Sequence, residues 1–331
     1  MMTCIDNRPF NVIRARYRAE LPLASDRVFL MDGGLETTII FHEGIELPHF
    51  AAIDLMRHQY GRERLRIYYT RFLDLARARG MGFVMDAPTW RASPDWAPLL
   101  GLSQDEMTWL NRASIGLMSR LRTHYDTPGT PVVLAGAVGP RGDGYQPGLA
   151  MSVEEATNYH SVQIGTFAEC ATDMVSAYTI NYVEEAIGIA LAAKAADMPS
   201  AIAFTLETDG RLPTGQPLNE AIEQVDAASG AAPVYYMINC AHPTHFHEMV
   251  AQGGAWLDRI HGLRANASMR SHAELDGAPD LDDGDPAELG RQYQELRVHL
   301  RRLHILGGCC GTDIRHVEQI ALACEPVDLA A

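Results

Sequence analysis

Residues 174–206, MVSAYTINYVEEAIGIALAAKAADMPSAIAFTL, read as strand, helix and strand. Met174–Thr179 and Ser200–Leu206 are short, nearly continuous apolar runs, which is how strands buried on both faces read. The longer stretch Val183–Ala196 between them reads as a helix. Working outward, the same alternation covers the chain. Further strands are predicted at Val28–Asp32, Gly82–Ala87, Val132–Val138, Val234–Asn239, Gly262–Asn266 and Leu303–Leu306. Helices are predicted at Arg62–Arg79, Gln104–Tyr125, Val153–Ala171, Pro217–Ala228, Pro243–Gln252, Pro286–Arg301 and Asp313–Ala323. The first of these keeps Leu65, Tyr68, Tyr69, Phe72, Leu75 and Ala76 at helical spacing, while Ser103 with Glu106 and Ser152 with Glu155 are capping-box signals. Pro217, Pro243 and Pro286 stand where helices begin.

Eight strands, each followed by a helix, point to the α/β class and a single closed (β/α)₈ TIM barrel. An open doubly wound sheet would carry a Gly-rich phosphate turn after its first strand, and Asp32-Gly33-Gly34-Leu35-Glu36-Thr37-Thr38 lacks that spacing. The 331 residues suit one barrel, read as an N-terminal arm over 1–25 and a barrel over 26–331.

The formal charge of −15, from 42 acidic against 27 basic residues, argues against nucleic acid and anionic membrane surfaces as partners. The acidic stretch Glu274–Glu288 reads as a solvated loop and helix start. The opening residues show no apolar signal segment, and no run approaches the roughly 20 apolar residues of a membrane span, so a cytoplasmic location is expected. In that compartment six cysteines are metal ligands, nucleophiles or core residues before they are disulfides.

Barrel chemistry sits where strands end. There the chain places Asn239-Cys240 after the sixth strand and Gly307-Gly308-Cys309-Cys310-Gly311-Thr312 after the eighth. Adjacent cysteines on a regular element point apart, but flanking glycines free the backbone to turn both toward one point. Cys240, Cys309 and Cys310 therefore read as ligands of one zinc ion per chain, the fourth position being left for water or substrate. A thiol entering that position is ionised and becomes a nucleophile for an activated methyl carbon. Cys4, Cys170 and Cys324 read as core residues. His242, His245, His247 and His304 read as surface or supporting residues.

Asp32-Gly33-Gly34, Asn239-Cys240 and Gly307–Thr312 together resemble the homocysteine S-methyltransferase family, in the same order and over about Val28 to Ala323. The resemblance implies a (β/α)₈ barrel with zinc on Cys240, Cys309 and Cys310, and methyl transfer to homocysteine in methionine biosynthesis. It further implies that Asp32, Gly33 and Gly34 hold the amino-acid end of the thiol, with Asn239 beside the metal. Two positions depart from it. Tyr178 stands where the family places a Glu for the substrate ammonium, and Asp86-Ala87-Pro88-Thr89-Trp90 replaces a Thr-rich turn. Thr89, Trp90 and Tyr178 are accordingly substrate-pocket candidates, and Trp90, Tyr145 and Tyr178 are aromatic candidates for a cationic methyl donor. The chain is too short for additional folate and corrinoid domains, which favours a free small-molecule donor. The alternatives are the same chemistry on another thiol or selenol, a zinc hydrolase or lyase, and a non-catalytic zinc- or thiol-binding module or corrinoid partner. Oligomeric state is not legible.

Overall fold

The computed structural model describes residues 14–24, 27–276, 278 and 280–325. Cys4 and most of the N-terminal arm lie outside them. Eight parallel strands close on themselves in sequence order: β1 Phe29–Leu30, β2 Gly82–Asp86, β3 Val132–Val138, β4 Met174–Ile180, β5 Ser200–Thr205, β6 Pro233–Asn239, β7 Ile260–Ala265 and β8 Ile305–Gly308. β1 pairs with β8 through Phe29 opposite Ile305, which completes the ring. Outside it run α1 Gln59–Ala78, α2 Gln104–Tyr125, α3 Val153–Ala168, α4 Val183–Ala195, α5 Leu218–Ser229, α6 Pro243–Ala251, α7 Pro286–Leu296 and α8 Ile314–Cys324. The expected single (β/α)₈ barrel is the fold observed.

Local chemistry accounts for many of the boundaries. Both capping boxes form, with the Ser103 and Ser152 hydroxyls accepting from the Glu106 and Glu155 amides and the glutamates reaching back. Pro243 and Pro286 occupy first-turn positions, and the Asp285 carboxylate caps α7. Gly230, at φ 69°, ends α5 in the left-handed conformation that glycine adopts without steric cost.

Strand alternation splits the core into two layers. Val133, Ala135 and Ala137 of β3 point into the barrel with Phe29, Met174 and Tyr235. Val132, Leu134 and Val138 face the helices. Cys324 is buried in this outer layer, and the half-buried Cys170 donates its thiol hydrogen to the Thr166 carbonyl.

Residues 14–24 lie across the N-terminal end of the strands. The Arg16 and Tyr17 amides donate to Asp173 Oδ1 at 2.7 and 2.8 Å, while Arg122 and the Leu134 amide donate to its Oδ2 at 2.6 and 2.9 Å. Arg18 caps the carbonyls of Ala168, Cys170 and Thr172, and Tyr17, Leu21 and Leu23 pack against the inner core. With that end covered, the C-terminal mouth is left for function. No helix among the described residues is long and apolar enough to cross a membrane.

Candidate metal centre and substrate pocket

Cys240 follows β6 directly, and Cys309 and Cys310 follow β8. Their three sulfurs lie within 4.8 Å of one another. The Cys240 and Cys309 Cα atoms are 5.5 Å apart with their sulfurs in bonding contact, and Cys310 is a free thiol. The glycines of this loop are there for space. A Cβ on Gly308 would stand 2.0 Å from Thr312 Oγ1, and one on Gly34 would meet Thr37 Oγ1 at 2.4 Å and the Cys309 carbonyl at 2.6 Å. The Gly34 amide donates to the Thr312 carbonyl at 2.9 Å, and the Thr312 hydroxyl to the Cys309 carbonyl at 2.7 Å, so the loops after β1 and β8 clamp each other.

Around Cys240 the backbone is bent for the site. Cys240 has φ 51° and Thr179 has φ 60°, both left-handed without being glycine, and the β4–β5 register breaks between Ala177 and Ile180. The Asn239 amide ties them together. Its Nδ2 donates to Thr179 Oγ1 at 2.9 Å and to Cys240 Sγ at 3.3 Å, while its Oδ1 accepts from the Thr179 amide at 2.9 Å. The Thr179 hydroxyl stands 3.7 Å from the same sulfur.

The cysteines form part of the wall of a cavity of ≈ 440 Å³, a size suited to small molecules. Asp32, Glu36, Asp86, Tyr178 and Arg264 share the lining, with Trp90, Arg91 and Tyr145 nearer the loops. Arg264 is buried between Asp32 Oδ1, at 2.7 Å, and Asp86 Oδ2, at 3.0 Å. Burial, only partly offset by Arg264, raises the Asp32 carboxyl and lifts Asp86 to about 7; burial also lifts Glu36 to about 7. Desolvation pushes the Cys310 thiol up to about 11, so it stays protonated at neutral pH without a cation beside it. Above it, Tyr145 stacks on His272 at 3.9 Å between ring centres, and its hydroxyl is 3.9 Å from Cys310 Sγ.

Most residues singled out from sequence converge here, with different duties in two cases. Asp32, Gly33, Gly34, Trp90, Tyr178 and Asn239 line the cavity. The Gly34 amide, in the segment expected to hold the amino-acid end of the thiol, is bonded within the loop clamp. Thr89 is fully buried behind the wall, its hydroxyl donating to the Ala137 carbonyl at 2.8 Å. The Trp90 indole donates to the Tyr178 carbonyl at 3.2 Å. Sequence reading missed Arg264, Asp86 and Thr179. A charged residue inside a strand buried on both faces was the available signal for the first two.

A closed barrel with three cysteine sulfurs converging at its C-terminal mouth presents a donor set that could hold a metal ion beside a small-molecule cavity. The chain belongs to the homocysteine S-methyltransferase family, whose model matches residues 29–324, and is thus a methyltransferase. Among solved structures it is similar to the homocysteine methyltransferase MmuM from Escherichia coli. The oxidised form superposes with a TM-score of 0.71 at 18% identity, covering 93% of this chain and 99% of that one. The metallated form gives 0.68 at 17% identity, covering 92% and 99%. No curated protein matches by sequence.

Proposed function

We propose that the protein transfers a methyl group from a free cationic donor to the thiol of homocysteine, with one zinc ion held by Cys240, Cys309 and Cys310. The observation that carries this is the convergence of three sulfurs within 4.8 Å on a small-molecule cavity. An all-thiol donor set suits a borderline-soft ion such as zinc. When bound, zinc supplies the positive charge that keeps an incoming thiol ionised at neutral pH.

The chain's own groups do the rest. Asn239 Nδ2 donates to Cys240 Sγ and, through its bonds to Thr179, fixes that ligand's direction. Asp32 lies within the cavity for the amino-acid head of the acceptor. Trp90 and Tyr145 offer ring faces to a sulfonium or quaternary ammonium donor, and the Glu36 carboxylate offers opposite charge. Attack of the acceptor sulfur on the methyl carbon breaks the donor's bond to that carbon, and the bonding pair leaves with the neutralised donor. The thiolate ligands suit a reducing, cytoplasmic setting.

The test is zinc analysis of protein purified under reducing conditions, followed by assays of homocysteine with S-methylmethionine, betaine, dimethylsulfonioacetate and S-adenosylmethionine. About one zinc per chain, lost in Cys310→Ala, with methionine formed from one donor, is the expected result. Protein without zinc overturns the proposal. Zinc without methionine favours a second reading motivated by Tyr178, the same chemistry on another thiol or selenol.

A further inference from the structure

Two carboxylates flank one guanidinium at the mouth, and the guanidinium is locked. Beyond Asp32 and Asp86, Arg264 donates from Nε to the Gly308 carbonyl and from Nη2 to the Gly33 carbonyl, both at 3.0 Å. A planar fork held on four sides cannot swing out to meet a ligand. Two carboxylates against one guanidinium leave one carboxylate without a fixed counter-charge, in a site that solvent barely reaches.

Asp86 carries the unsatisfied part of that charge. Its Oδ2 accepts from Arg264 at 3.0 Å and from the Tyr178 hydroxyl at 2.8 Å. Its Oδ1 is buried and makes no hydrogen bond of normal geometry; the nearby Ser176 hydroxyl, itself unbonded, favours the ionised carboxyl less than Tyr178 does. The side chain is 7% exposed, and that opening is onto the cavity it lines with the three cysteines. A buried carboxylate oxygen short of a donor is costly. A ligand carboxylate would worsen the excess, and a neutral head group would leave it standing. A ligand ammonium supplies both the missing hydrogen and the missing charge.

We propose that Asp86 is a specificity-determining acceptor for the ammonium group of the thiol substrate, with Asp32 as the second carboxylate, Arg264 as the brace between them and Tyr178 as a positioning residue that holds the Asp86 carboxyl in plane. This rests on the reading of an amino-acid thiol as acceptor. Tyr178 then bears no substrate charge itself; it aligns the group that does. Thiols of the same length without an ammonium are discriminated against.

Binding calorimetry without any methyl donor tests this on the zinc-loaded wild type, Asp86→Asn and Tyr178→Phe, using L-homocysteine and 4-mercaptobutanoate, its counterpart lacking the ammonium. Wild type binds homocysteine the more tightly. Asp86→Asn weakens homocysteine by roughly 10- to 100-fold while leaving 4-mercaptobutanoate unchanged, and Tyr178→Phe shifts the same ratio by less. Zinc content and melting temperature of each variant check that it is folded. Equal loss for both thiols, or none for homocysteine, overturns the assignment of Asp86. Wild type binding both thiols equally overturns the ammonium site and leaves thiol activation standing. Wild type binding neither thiol overturns the acceptor reading and this inference with it.

Discussion

Asn239 is the residue on which the direction of the Cys240 sulfur turns, because one amide serves the Thr179 backbone, the Thr179 hydroxyl and that sulfur. Both neighbours hold φ near the left-handed region, at a cost of about 1–3 kcal/mol each that the surrounding bonds must over-determine. Asn239→Ala is expected to lower metal affinity by about 10- to 100-fold, measured by competition with a chelator. Asp86 makes a pH prediction. Its folded carboxyl titrates at about 7, above the ordinary value of 3.8, so the folded state holds the proton more tightly than the unfolded chain. Its contribution therefore favours folding at low pH and becomes a penalty as pH rises from about 4 through about 7. Asp86→Asn, with Arg264 still paired to Asp32, is expected to raise the melting temperature of metal-free protein at pH 8 and to do so less at pH 5. An equal shift at both pH values contradicts this. The cysteines were legible because glycine-flanked thiols at strand ends are a rare pattern. Arg264 and Asp86 stood out only as charges inside buried strands, and nothing local tells that β7 and β2 present them to each other across the barrel.

Among the elements, the loops after β1 and β8 are locked by close contact as well as by hydrogen bonds. Gly34 has φ −74°, a conformation any residue adopts, so its substitution fails for lack of room rather than for strain. Gly34→Ala is expected to cost about 1–3 kcal/mol and to displace Cys309, seen as weakened metal binding alongside a lower melting temperature. Strand and helix positions followed closely from apolar runs and caps: Val132–Val138 and Gln104–Tyr125 coincide with their elements. Val28–Asp32 shrinks to Phe29–Leu30: the Met31 amide still donates to the Leu306 carbonyl, but the Gly308 amide then bonds to the Asp32 carbonyl, and the chain passes into the Asp32-Gly33-Gly34 loop that meets Thr312. Pro286–Arg301 stops at Leu296, the following turns being held by separate bonds such as Leu300 to Leu296. Such ends depend on tertiary partners, which periodicity does not report.

For the whole molecule, chemistry and stability are separated at opposite ends of the barrel. Asp173 accepts four hydrogen bonds at the covered end, joining residues 16 and 17 to α2 and β3. Asp173→Ala leaves Arg122 buried without its partner and is expected to cost about 3–5 kcal/mol in denaturant unfolding, with zinc affinity of the surviving folded protein unchanged. The ring closure has a consequence for how the protein is made. The Phe29 amide donates to the His304 carbonyl, and the His304 ring bonds to the Leu23 carbonyl. The first strand of the barrel thus finds one of its two neighbours only when the eighth is in place. Until then the sheet is open with two unpaired edges, a state prone to edge-to-edge association, so closing the ring also protects the chain from its neighbours.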